Sequence, residues 1–300
     1  MSKRLVLGPL MIALLLLAVW ADHAVDGLRM PLALAELVGR GEGATFPPGS
    51  VLIFVCLGLA IVASRELAGL LERVGVLASK RMLGTASVLG LLVSSLAPTN
   101  LTASQGVAIV ATAGVVALVS ALLYHSRHKR LEGVIAAAGG VMLSFVYLGL
   151  MFGFLIAIRR EHHVATLVWV ILCIKSCDIG AYFTGKAIGK RKLIAWLSPG
   201  KTWEGLVGGV LTSSAVGAAA VLLPEATTDG APFALRHWWA GAVLGAFLGA
   251  TGQLGDLLES MLKRDAGAKD SGSGIPGFGG VLDVLDSLLL AGVVAFWALR

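Results

Sequence analysis

Residues 133–158 read GVIAAAGGVMLSFVYLGLMFGFLIAI, an apolar run that holds no Asp, Glu, Lys or Arg. A bilayer core about 30 Å thick needs roughly 20 apolar residues per helix, so the run predicts a membrane-spanning helix. Outward from it the same reading recurs at 5–20 (LVLGPLMIALLLLAVW), 50–70, 82–98, 101–124, 164–183, 205–223, 237–257 and 280–299. The expectation is an all-α, polytopic membrane protein with about nine transmembrane helices. Composition agrees: 57% of the 300 residues are hydrophobic and 14% charged, where a soluble domain carries about 25% charged residues. The 39 glycines suit close helix packing in lipid, where small residues let backbones approach. Lys3 and Arg4 ahead of the first run also fit a signal peptide, but the following WADHA is a poor cleavage pattern and many spans follow. The run is therefore read as the first transmembrane helix. Pro98-Thr99-Asn100 predicts a tight turn between two spans.

Basic residues collect on cytoplasmic loops. With the N-terminus inside, inside segments hold seventeen Lys and Arg and outside segments six, with Arg159 and Arg160 dissenting. The expected orientation is N-inside, C-outside, which puts the two most polar loops, 184–204 and 258–279, on one side. The net charge of +6 is then explained by anionic lipid and does not call for nucleic acid. Cys56, Cys173 and Cys177 are an odd set in apolar surroundings, which argues against a disulfide framework. Cys173 and Cys177 share a helix face without the further ligands a zinc site needs.

The first polar cluster is Cys177-Asp178-Ile179-Gly180-Ala181-Tyr182, with Lys186, Lys190, Arg191 and Lys192 after it, then Ser198-Pro199-Gly200-Lys201-Thr202-Trp203-Glu204-Gly205. Asp178 sits in an apolar helix, where a carboxylate is costly and marks function by default. Lys175, three residues earlier, offers the bland alternative of an ion pair. Ser198 to Thr202 ahead of an apolar helix suits phosphate binding at a helix N-terminus. Ala195 replaces the first Gly of a Walker A loop and the context is not strand–loop–helix, so a P-loop fold is rejected.

The second cluster places Asp256, Glu259, Ser260 and Lys263 at i, i+3, i+4 and i+7, one helix face. Arg264, Lys269, Asp270 and a Pro276–Gly280 turn follow, then Asp283 and Asp286 at i, i+3. Four carboxylates thus border one Gly-rich loop at a membrane boundary. Dipole-favoured acids at a helix start explain Asp283 or Asp286 singly, but not the combined set. Oxygen ligands of this kind suit Mg²⁺, which binds through one or two carboxylates plus substrate phosphates.

These residues resemble the phosphatidate cytidylyltransferase (CDP-diglyceride synthase) family. The pattern Ser-x-x-Lys-Arg, Lys-Asp, Pro-Gly-His-Gly-Gly and Asp-Arg-x-Asp is met by Ser260, Lys263, Arg264, Lys269, Asp270, Pro276, Gly277, Gly279, Gly280, Asp283 and Asp286. The first cluster is similar to the family's upstream segment, and the resemblance covers roughly 165–290. Residues 1–160 match only as apolar helices; 161–300 would be the catalytic region. Phe278 stands where the family has His, and Val284 where it has Arg. The resemblance implies transfer of CMP from CTP to phosphatidic acid. By the same resemblance Asp256, Asp283, Asp286 and Glu259 would hold Mg²⁺, with a monovalent cation such as K⁺ left open. Lys263, Arg264, Lys269 and Asp270 would form the catalytic set. Asp178, Tyr182, Lys186, Ser198, Lys201, Thr202, Trp203 and Ser260 would bind substrate. The expected partners are CTP, phosphatidic acid and the bilayer, without nucleic acid and with a homodimer left open. The expected place is a bacterial-type inner membrane with the site facing the cytoplasm. A CTP-dependent enzyme acting on another lipid phosphate, a non-catalytic relative and a transporter remain as alternatives.

Overall fold

A computed structural model describes residues 2–37, 43–96, 102–127, 132–228, 231–277 and 279–300. The Pro98-Thr99-Asn100 turn, Arg40, Lys129, Arg130 and Phe278 lie outside them. The helices are α1 (Ser2–Val25), α2 (Leu32–Leu37), α3 (Leu52–Arg73), α4 (Lys80–Leu96), α5 (Ala103–Ser126), α6 (Val134–Leu143), α7 (Met151–Glu161), α8 (Val164–Ile188), α9 (Trp203–Ala218), α10 (Phe233–Arg236), α11 (Trp238–Asp265) and α12 (Leu282–Ala298). A π-helical segment, Ser144–Leu150, joins α6 to α7 into one long rod. Seven helical stretches among the described residues are long and apolar enough to cross a membrane, and the chain is an integral membrane protein of all-α type. The helices α4 and α12, at 17 residues each, are shorter than those seven.

Local sequence sets the helix starts. Thr102 and Gln105 form a reciprocal capping box at α5, which satisfies two orphan backbone donors at once. Val51 ahead of α3 has no side chain that can cap it. Instead the buried Asp22 of α1 accepts from the N–H groups of Gly49, Val51 and Leu52, and Arg159 of α7 pairs with both Asp22 and Asp26. Arg160 donates to Ser95 O at 2.5 Å. The two arginines that dissented from the charge bias are therefore internal ties at one end of the bundle.

Small residues set the packing. A Cβ on Gly90 of α4 would collide with the backbone of Phe145 and Gly149, so the π-helical segment lies directly against α4, and Ser144 Oγ donates to Leu83 O at 2.9 Å. Gly217 and Gly245 bring α9 equally close to α11. Ser213 Oγ lies 2.7 Å from Cys173 O and 2.6 Å from Gly245 O, fastening α8, α9 and α11 around one hydroxyl.

Two boundaries differ from the sequence expectation. The helix expected over 237–257 continues to Asp265, so the first eight residues of the predicted 258–279 loop are helical. The 184–204 loop begins as helix up to Ile188 and then folds as an antiparallel hairpin, β1 (Lys192–Ile194) with β2 (Ser198–Thr202). Alternation is too short in these strands to be read from sequence. Glu204 in the first turn of α9 accepts from the N–H groups of Lys190 and Arg191, closing the hairpin onto its following helix.

Candidate active site between α8, α11 and α12

The helical spacing read from sequence holds: Asp256, Glu259, Ser260 and Lys263 lie along one face of α11, and α12 delivers Asp286 beside them. One carboxylate oxygen from each of Asp256, Glu259 and Asp286 lies within 4.8 Å of the other two. Glu259 is fully buried and Asp286 is 6% exposed. Among the described residues Glu259 Oε1 has no hydrogen-bond partner, and Oε2 meets the Lys263 ammonium, one helical turn on. A buried carboxylate oxygen without a donor is costly unless something else compensates its charge.

Asp283 is placed differently from the other three. Its Oδ1 takes Lys263 Nζ at 2.6 Å, and its Oδ2 accepts from Ser271 N (2.9 Å), Ser271 Oγ (2.8 Å) and Gly280 N (2.6 Å). It folds the Gly-rich loop over the start of α12. Gly279 has φ +94°, and a Cβ there would strike the Asp283 carboxylate, so both space and backbone favour glycine.

The hairpin side supplies cations. Lys201 Nζ lies 2.8 Å from Asp256 Oδ2 and 3.3 Å from Gln253 O. Arg264 Nε donates to Leu197 O at 3.1 Å, so the two polar loops meet at one end of the bundle. Asp178 accepts from Gln253 Nε2 at 2.7 Å and sits 3.6 Å from Lys175 Nζ. Lys175 also donates to Ser287 Oγ and Val284 O, so the ion pair expected as the bland reading is one part of a wider network. Ser260 Oγ donates to Asp256 Oδ1 at 3.4 Å. Thr202 Oγ1 caps α9 by accepting from Gly205 N at 3.1 Å. Ser198 opens β2, and Trp203, Tyr182 and Lys186 are exposed nearby in sequence, with Lys186 Nζ 5.8 Å from the Tyr182 ring centre. Lys269 and Asp270 are exposed on the loop and make no ion pair among the described residues.

Two residues of the N-terminal half join the site unannounced. Glu66 of α3 accepts from Val281 N and Leu282 N, both at 2.9 Å, and from Ser271 Oγ at 3.2 Å. It caps α12 and pins the loop. Its sequence signal was the one used for Asp178, a carboxylate inside an apolar run. Tyr147, on the π-helical segment, is 5% exposed, and its hydroxyl has no hydrogen-bond partner among the described residues. The charges of Asp286, Glu259 and Asp256 act on it. A tyrosine in an apolar run carries no such signal.

The carboxylates of Glu66, Asp178, Asp256, Glu259, Asp283 and Asp286 outnumber the ammonium groups of Lys175, Lys201 and Lys263. The surplus negative charge and the buried, partnerless Glu259 Oε1 fit a hard cation with oxygen ligands.

Fold and site together define a membrane-embedded helical protein with a cluster of carboxylates beside a basic hairpin. The chain matches the cytidylyltransferase family over residues 43–300 and belongs to it. It is 42% identical to a phosphatidate cytidylyltransferase of Haemophilus influenzae over 130 residues, 43% of this chain and 44% of that protein. It is 38% identical to the Bacillus subtilis protein of that name over 153 residues, 50% of this chain and 54% of that one. With the Pseudomonas aeruginosa protein the figures are 46% over 125 residues, 42% and 44%. The chain thus spans about half the length of the curated relatives it matches.

Proposed function

We propose that this protein transfers the CMP unit of CTP to phosphatidic acid, giving CDP-diacylglycerol and pyrophosphate. The observation that carries the reading is the convergence of Asp256, Glu259 and Asp286 within 4.8 Å, in a chain of the cytidylyltransferase family. A phosphate oxygen of phosphatidic acid forms a bond to the α-phosphorus of CTP, and the bond to the pyrophosphate oxygen breaks. The nucleophile is already anionic at neutral pH, so little general-base help is needed. The difficulty is bringing anions together and stabilising the leaving group. Asp256, Glu259 and Asp286 would hold Mg²⁺, which supplies charge neutralisation to the phosphates; K⁺ is the candidate for a second, monovalent ion. Asp283, Ser271 and Glu66 hold the loop, and Lys263 sits between Glu259 and Asp283. Lys201, Lys269 and Arg264 are the cations offered to phosphates, with Asp270 beside them. Asp178, Tyr182, Lys186, Ser198, Thr202, Trp203 and Ser260 are the residues offered to substrate.

The same reading has nine spans, N-inside and C-outside, in a bacterial-type inner membrane, with the carboxylate end facing the cytoplasm, where CTP is. A homodimer in the membrane belongs to this reading too. The test is pyrophosphate release by detergent-purified protein given CTP, phosphatidic acid and Mg²⁺, each omitted in turn. Release that needs all three, with CDP-diacylglycerol recovered, supports the proposal. Folded protein that stays silent with phosphatidic acid but releases pyrophosphate with another lipid phosphate would replace the acceptor. Silence with every lipid would make it a non-catalytic relative.

A further inference from the structure

A cavity of about 850 Å³ lies away from the carboxylates in a groove between α3, α4 and α5. Its walls are apolar: Ile61 on α3, Leu89 and Leu92 on α4, Val116 and Ala117 on α5. Its head is basic. Arg65 of α3 and Lys80 and Arg81 at the start of α4 line that end. All three are exposed, and none forms an ion pair or a side-chain hydrogen bond among the described residues. At the carboxylate centre, by contrast, Lys175, Lys201 and Lys263 each meet a carboxylate. No acidic side chain lines the groove. The start of α4 adds unpaired backbone N–H groups and the positive end of its dipole.

We propose that this groove is a binding site for one anionic diacyl phospholipid, with its phosphate against Arg65, Lys80 and Arg81 and its acyl chains along α4 and α5. Three unpaired cations above an apolar slot complement a molecule that is anionic at the head and apolar below it. Basic pockets between membrane helices on the cytoplasmic side hold anionic headgroups for the same reason. A free phosphate would leave the apolar slot unfilled, and a neutral lipid would leave the three cations uncompensated. The site is separate from the carboxylate centre. The two share α3, where Glu66 grips the loop before α12 while its neighbour Arg65 faces the groove.

The test is native mass spectrometry of the full-length protein released from mixed micelles containing phosphatidylglycerol or phosphatidylcholine. The wild type should retain one phosphatidylglycerol under conditions that strip phosphatidylcholine. The combined R65Q, K80Q and R81Q variant should lower that retention about 100-fold, the loss expected when charge pairing worth about 1 kcal/mol per cation is removed at three positions. Val116→Trp, at an exposed wall position, keeps the cations and fills the slot, and should lower it as well. Because Val116→Trp leaves the charges untouched, a folding failure of the charge variant does not decide the matter. Equal retention of both lipids by the wild type, or wild-type retention by a folded charge variant or by Val116→Trp, would overturn the proposal.

Discussion

Asp256, Glu259 and Asp286 differ from the other site carboxylates in what compensates them. Asp283 is answered by a lysine and three loop donors, and Glu66 by two backbone amides and a hydroxyl. Glu259 has one ammonium on Oε2 and no partner on Oε1. Asp256, Glu259 and Asp286 are therefore the carboxylates we propose hold the metal, while Asp283 and Glu66 hold the loop. Asp256→Asn keeps shape and removes charge. Turnover in the pyrophosphate assay should fall at least about 100-fold, the upper range for losing a group that sets a metal ligand shell, with the helical circular dichroism unchanged. Asp283→Ala should also inactivate, but through the loop, so its Mn²⁺ affinity measured by electron paramagnetic resonance should hold better than that of Asp256→Asn. Tyr147→Phe removes a buried hydroxyl that has no partner. An unsatisfied buried hydroxyl costs about 1–3 kcal/mol, so Tm should hold or rise, while turnover drops about 10-fold if that hydroxyl serves the loaded carboxylate cluster.

At the scale of elements, α12 starts without a side-chain cap of its own and borrows Glu66 from α3, just as α3 borrows Asp22 from α1. These caps arrive from more than twenty positions away in one case and over two hundred in the other. Glu66→Ala should leave the bundle folded but open the 266–281 loop, read as faster amide exchange there and lower turnover together. At the other end, Glu225 in the 3₁₀ turn Pro224–Thr227 accepts from Thr166 Oγ1 at 2.6 Å and lies 2.7 Å from His162 Nδ1. Burial alone would raise its pKa, but the Thr166 and His162 hydrogen bonds outweigh burial and hold it below the ordinary glutamate value. A depressed carboxylate contributes stability above its free pKa, about 4.3, and loses it as pH falls through the lowered folded value. The Tm gap between wild type and Glu225→Gln should therefore be constant near neutral pH and close only in acid.

At the scale of the molecule, polar networks occupy the two ends of an apolar bundle. One end holds the carboxylates, hairpin and Gly-rich loop; the other holds Asp22, Asp26, Arg159, His162 and Glu225. The native cysteines are all buried, so single engineered thiols report the topology cleanly. Ala187→Cys, exposed at the carboxylate end, should react with a membrane-impermeant maleimide only from the cytoplasmic side, and Thr228→Cys, exposed at the other end, only from the opposite side.

The sequence by itself determined the apolar helices, the face shared by Asp256, Glu259, Ser260 and Lys263, and the Gly-rich turn before Asp283, because helical period, bilayer thickness and backbone freedom are local properties. It also placed both polar loops on one side, since the bias of Lys and Arg is additive along the chain. Only the tertiary structure decided that Asp286 joins Asp256 and Glu259 while Asp283 turns to the loop. The spacing i, i+3 puts both on nearly the same face, and the choice rests on what α11 and the 266–281 loop present to each. Tertiary structure alone also brought Glu66 and Tyr147 to the site. Which helix packs against which is fixed by close approaches such as Gly90 to Gly149 and Gly217 to Gly245, contacts between distant positions that no local period encodes.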